Sequence, residues 1–137
     1  MPIKPENRHR YPADWPQIRE RILRRALWRC EHPGCEALHR DVGYWLRDRF
    51  VPMPRALRDA GYKRGDVVMC WDRTELKLIM IVLTIAHLDH QPENCDDENL
   101  RALCQRHHLA HDAQHHKQTA YATRRARALT PDLFGPA

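Results

Sequence analysis

The chain has 137 residues, enough for one folded domain and too few for two with separate cores. Lys and Arg number 23 against 18 Asp and Glu, a formal charge of +5 that favours a polyanionic partner over an acidic one. The most apolar run, Leu76 to Ala86, contains Lys77 and is too short to span a bilayer. The opening MPIKPENRHRYP has no apolar core before its charges, so a cytoplasmic protein without membrane association is expected.

Residues 1–13 are polar, carry three prolines and show no apolar period, and read as an arm. DWPQIRERILRRALWRC follows, with Asp14 as N-cap and Pro16 in the first turn. Ile18, Ile22, Leu23, Ala26 and Leu27 recur at helical spacing, and the reading is a helix over 15–28. The stretch at 36–75 is mixed, an insert of uncertain role. Within it PRALRDAG reads as a short helix ended by Gly61. DVVMCW and LKLIMIVLTIAH read as two strands joined by the polar DRTE. From Leu100 onward there is neither glycine nor proline until Pro131, which predicts a helix closed by Pro131 and Gly135, with a tail over 129–137. The four tryptophans, Trp15, Trp28, Trp45 and Trp71, read as packing residues.

Five cysteines, an odd number, point to thiols and metal ligands rather than a disulfide framework. Cys30 and Cys35 lie in CEHPGC, where Pro33 and Gly34 supply a turn that lets two thiolates converge on one ion. CQRH supplies a second half, Cys104 and His107, three residues apart and on one helix face. Together they make a Cys3His set suited to structural Zn2+, which would tie the segment before the insert to the start of the last helix. His32 lies within the first half as a competing ligand, whereas Cys70 and Cys95 have no partner at ligand spacing.

A helix ending in a cysteine knuckle, a strand ending in a histidine, then ENL and a cysteine–histidine half-site resemble the HNH endonuclease family, in its small zinc-stabilised phage and bacterial form. The resemblance runs from about Tyr11 to Arg127, apart from 38–75. It implies an α+β fold: a ββα-metal (His-Me finger) core with an N-terminal helix, a zinc knuckle and a C-terminal helix, in a single nuclease domain over 1–137. It further implies a divalent-metal-dependent DNA endonuclease. In this likeness His87 matches the general base, Asn99 the asparagine that orients that base or binds the ion, and His108 the last histidine, a ligand of the catalytic Mg2+, Mn2+ or Ni2+. A neutral histidine near pH 7 suits activation of a water, and one divalent cation suits the charge of a phosphodiester under attack.

Asp112 lies one helical turn beyond His108 on the same face and joins it as a candidate ligand, His111 being less well aligned. The departure from the family pattern is Ala86, where many members carry a metal ligand. Either Asp89, two residues past His87, takes over coordination, or the register is displaced and His90 is the base; the spacing to Asn99 favours His87. Arg124, Arg125 and Arg127 read as a phosphate track that continues from the arginines of the first helix, for DNA bound through its backbone. The rival reading is a zinc-stabilised DNA-binding or assembly module with the HNH shape and no catalysis. Ala86 keeps that rival in play.

Overall fold

The computed structural model describes residues 3–134, with side chains described to residue 128. The architecture is mixed α+β, with small antiparallel sheets and a long C-terminal helix. In chain order the elements are α1 (Trp15–Arg25), β1 (Val42–Leu46), β2 (Arg49–Pro52), α2 (Arg55–Asp59), β3 (Val67–Met69), β4 (Glu75–Lys77), β5 (Ile79–Met80), β6 (Thr84–His87), β7 (Leu100–Leu103) and α3 (Gln105–Phe134). The strands form three sheets, β2-β1-β5, β3-β4 and β6-β7. β6, β7 and α3 follow one another as strand, strand and helix, and β6 pairs with β7 from Thr84 opposite Leu103 to His87 opposite Leu100.

α1 lays Ile18, Ile22 and Leu23 onto the β6-β7 pair, where they bury Ile85, Leu100 and Ala102 together with Leu83 and Ile81. The helix is three residues shorter than its apolar period predicts. It ends in a Schellman turn, in which the Trp28 N–H donates to the Leu23 carbonyl (2.9 Å) and the Leu27 N–H to that of Arg24 (3.0 Å). Leu27 and Trp28 take left-handed φ values of 55° and 56°. No glycine marks the position, which is why the ending is invisible in the sequence. As a result Leu27 is 79% exposed rather than core. Asp14 does hold the N-cap position, but its side chain makes no capping bond. α2, by contrast, ends as predicted, with Gly61 at φ +90° in a second Schellman turn.

The apolar run at 76–87 does not make one strand. It divides among β4, β5 and β6, each in a different sheet, with Leu78, Ile81 and Leu83 fully buried at the joints. The β3-β4 hairpin turns on DRTE, as expected. Residues 100–103 are a strand rather than the start of the helix. Leu, Ala and Arg favour helix locally, but pairing on both edges overrides that preference. β6 takes one edge of β7, and Glu31 takes the other, its backbone N–H donating to the Ala102 carbonyl (2.8 Å) and its carboxylate accepting the Ala102 N–H (2.8 Å).

The insert is a folded layer. Gly43 lets β1 approach β2 closely, since a Cβ there would lie 2.1 Å from the Val51 carbonyl oxygen. Trp45, on β1, packs edge-on to His107 and under the guanidinium of Arg106. Trp15 and Trp45 therefore pack as expected, but Trp28 is 41% exposed and Trp71 stands fully in solvent at the β3-β4 tip. α3 runs through Pro131 to Phe134 instead of closing at the proline. Gly135 and the end of the expected tail lie outside the described residues. Among the described residues no helix is long and apolar enough to cross a membrane.

Candidate metal centres

Two groups of ligating side chains gather at the start of α3, which supplies His107 to one and His111 and Asp112 to the other. The first is Cys30, Cys35, Cys104 and His107, whose ligand atoms all fall within 4.8 Å of one another. In the segment that carries the first pair, His32-Pro33-Gly34-Cys35 is a turn closed by the Cys35 N–H to the His32 carbonyl (3.0 Å), with Gly34 at φ +79°. Proline followed by a left-handed glycine is the signature of a type II turn, so the sequence dictates this half directly. The second pair sits where β7 becomes α3, and the Cys104 N–H points at Cys30 Sγ (3.4 Å).

His107 Nδ1 lies 3.6 Å from Cys30 Sγ and 3.2 Å from Cys104 Sγ. A tetrahedral Zn2+ with sulfur at ~2.3 Å and nitrogen at ~2.0 Å separates its ligand atoms by roughly 3.5–3.8 Å, so the set fits the ion with small adjustments. His32 is not part of it; its ring stacks on that of His107, centroids 3.8 Å apart. The hydrogen bond from Cys104 holds the Cys30 thiol far below its ordinary range, whereas the partnership with Cys30 and burial push Cys104 up. Burial also raises Cys35. Three sulfurs this close cannot all ionise without a cation among them, and a dication removes that conflict.

The second group lies along an open cleft of about 830 Å³. Its lining includes His87, His90, His108, Asp112, His115 and His116. Tyr11, Arg10 and Lys4 of the N-terminal arm line it too, as does Arg19 of α1. The arm is not loose. Pro5–Arg10 forms a 3-10 helix, and Arg10 pairs with Glu93 at 2.6 Å.

His87 closes β6 and is buried, 8% exposed. Its ring stacks on Trp15 (5.2 Å between centroids) and meets Tyr11 edge-on (5.7 Å). Cys95 Sγ lies 3.8 Å from its Nε2. Burial lowers the His87 pKa, keeping the ring neutral near pH 7. His108 is also pushed down by burial, against the pull of Asp112. The Thr84 hydroxyl meets its Nδ1, and its Nε2 stands 3.1 Å from Asp112 Oδ2. His90 Nδ1 lies 3.3 Å from Asp112 Oδ1, so Asp112 has a histidine on each carboxylate oxygen. His90, His111 and Asp112 bring their ligand atoms within 4.8 Å of one another.

Two of the predicted site residues do different work. Asp89 accepts from Asn94 Nδ2 (2.8 Å), Asn99 Nδ2 (2.9 Å) and the Gln91 N–H (2.9 Å), which lowers its pKa to about 2. Both of its oxygens are engaged in holding the loop at 88–99, and it stands outside the ligand cluster. Asn99 completes the same lock: its side-chain oxygen accepts the Asp89 N–H (3.2 Å), and its carbonyl accepts the Leu88 N–H (2.9 Å). It thus shapes the turn after His87 without touching the imidazole. Of the arginines, Arg21, Arg24 and Arg25 of α1 are paired with Asp97, Glu20 and Glu31, leaving Arg19 on the cleft. Arg124, Arg125 and Arg127 are exposed on the far part of α3 and do not line the cleft.

Sequence reasoning missed Thr84, Tyr11, Trp15, Glu31 and Arg10 as site-shaping residues. Only Glu31, an acid inside the knuckle, carried any local signal. The chain matches no protein-family model, no curated protein and no solved structure.

Proposed function

We propose that the protein is a divalent-metal-dependent DNA endonuclease of the HNH type, stabilised by a structural zinc at Cys30, Cys35, Cys104 and His107. The carrying observation is that His87, at the end of β6, and the His108–Asp112 pair on α3 open onto one cleft. In this reading β6, β7 and α3 are the ββα-metal core. His87, kept neutral by burial and held in plane by Trp15, is a fit acceptor for the proton of an attacking water. Lys4 and Arg19 supply positive charge along the cleft for a phosphate backbone, while Arg10 is engaged by Glu93. The resemblance gives His108 as a ligand of the catalytic cation and helical spacing adds Asp112; when bound, the cation would neutralise charge on the phosphate and leaving oxygen. Thr84 fixes the His108 ring from behind.

The test is a supercoiled plasmid incubated with zinc-loaded protein and Mg2+, Mn2+ or Ni2+. The expected result is nicking that His87→Ala removes while the variant keeps its zinc and remains folded. A second reading, a DNA-binding or assembly module without catalysis, is favoured by the small residue at Ala86 and by the tight aromatic packing of His87. It prevails if the intact protein retards DNA with a steep salt dependence and cleaves it with none of the three ions.

A further inference from the structure

The loop at 88–99 does more than connect β6 to β7. His90 closes the turn that starts at His87, its N–H reaching the His87 carbonyl (3.1 Å), and adopts a left-handed φ of 57°. A non-glycine residue held there is strained unless its surroundings fix it. The lock of Asp89 with Asn94 and Asn99 provides that restraint. The outcome is that the His90 ring is set against α3. It stacks on His111 at 4.8 Å and on His115 at 4.5 Å, and it turns Nδ1 to Asp112 Oδ1 at 3.3 Å. Two ligands on one metal ion at ~2.1 Å stand roughly 3.0–3.4 Å apart, so this contact is already at coordination spacing.

We propose that His90, His111 and Asp112 form a second metal site, selective for an imidazole-favouring transition ion such as Zn2+, Co2+ or Ni2+ over Mg2+. In this site His90 and His111 replace His108, which the HNH likeness makes a ligand; His108 is instead a positioning residue, holding the other oxygen of Asp112 from its Thr84-anchored ring. Two imidazoles and one carboxylate suit borderline ions, whereas Mg2+ prefers an all-oxygen octahedron. His90 comes from a different segment than the ligand missing at Ala86, and the loop lock is what brings it in. As the ion of the proposed nuclease the site rests on that reading for its use, but not for its existence.

The test is a cobalt titration of protein already carrying one zinc per chain. A second equivalent is expected to bind with weak visible bands and no thiolate-to-metal charge transfer, which separates it from the cysteine site. Millimolar Mg2+ should leave it in place. His90→Gly keeps the left-handed turn, so its fold and first zinc should persist while cobalt affinity falls at least about tenfold, as even the loss of a supporting partner can produce. His111→Ala should do the same. The proposal is overturned if no second equivalent binds, if binding shows thiolate bands only, or if His108→Ala abolishes it while His90→Gly does not. Uptake of cobalt lost in His90→Gly, in a protein that nicks no DNA, supports the site and removes the nuclease reading. Nicking in Mg2+ without cobalt uptake overturns the site and leaves the nuclease.

Discussion

The two ligand clusters share the first turns of α3 but are built in opposite ways. The cysteine cluster is assembled by backbone: a type II turn on one side, a strand-to-helix junction on the other, and Glu31 joining the two. Its neighbours are Trp45, Arg106 and a core of Ile and Leu side chains. The histidine cluster is assembled by side chains, through hydrogen bonds to Asp112 and ring stacking, in a cleft open to water. A site made by backbone cannot be loosened without loosening the fold, whereas one made by side chains can be stripped with little structural consequence. Metal loss at the first should therefore cost the fold, and at the second should not.

The largest expected effect comes from breaking the first cluster. Stripping its metal with a strong chelator, or the substitution Cys30→Ala, should remove an apparent stabilisation on the order of 10 kcal/mol, enough to abolish a cooperative thermal transition. The same chelator should act on the second cluster alone at lower strength, with the melting temperature nearly unmoved. Coincident loss of both metals and of the fold would erase the distinction.

Glu31→Ala is the next largest, since it strands the Ala102 N–H and releases Arg25, and about 1–3 kcal/mol of stability should go with it. Glu31→Gln, which keeps an acceptor, should lose less in the same chemical denaturation series. Relieving the helix ending should move stability the other way. Leu27→Gly removes a left-handed leucine that is mostly in solvent, and a gain of about 1 kcal/mol is expected.

Acidification tests the histidines whose pKa the fold lowers. His39 accepts the Leu83 N–H at Nδ1 (3.0 Å), and its pKa is lowered by burial and by Arg40 and Arg19; His87 is lowered by burial. A histidine with a lowered folded pKa binds fewer protons folded than unfolded, so its contribution is intact above about pH 6.5 and is lost as pH falls below that value. The melting temperature should therefore drop between pH 7 and pH 5, and His39→Asn, which can still accept the Leu83 N–H, should shallow the slope.

The sequence carries these two sites unequally, for the same physical reason. Cys30, Cys35, Cys104 and His107 were legible because each half is set by spacing and by a Pro-Gly turn, both local. Asp112 and His108 were legible as a helical pair. The role of His90 was not, because it depends on a loop conformation fixed by Asp89, Asn94 and Asn99 across five to ten residues. Nor was the cage of Tyr11 and Trp15 around His87, which exists only once the arm and α1 dock. The strand at Leu100–Leu103 was read as helix because its pairing partners, β6 and Glu31, lie far away in the chain. The end of α1 was misplaced because a leucine took a position at which glycine would have announced the turn.

Cys104 immediately precedes Gln105, the first residue of α3, and its carbonyl accepts the first bond of the helix, from the His108 N–H (2.9 Å). That is the N-cap position, with a sulfur where oxygen is usual, at the end of the helix where the summed peptide dipoles are positive. The three thiolates of a loaded knuckle outweigh the charge of a dication, so the anionic site and the helix terminus stabilise each other. Serine is a good cap and a poor zinc ligand, whereas alanine is neither. Cys104→Ser and Cys104→Ala should thus lose metal alike, yet differ by about 1 kcal/mol in the remaining helix stability, read from the helical circular dichroism of the two metal-free proteins.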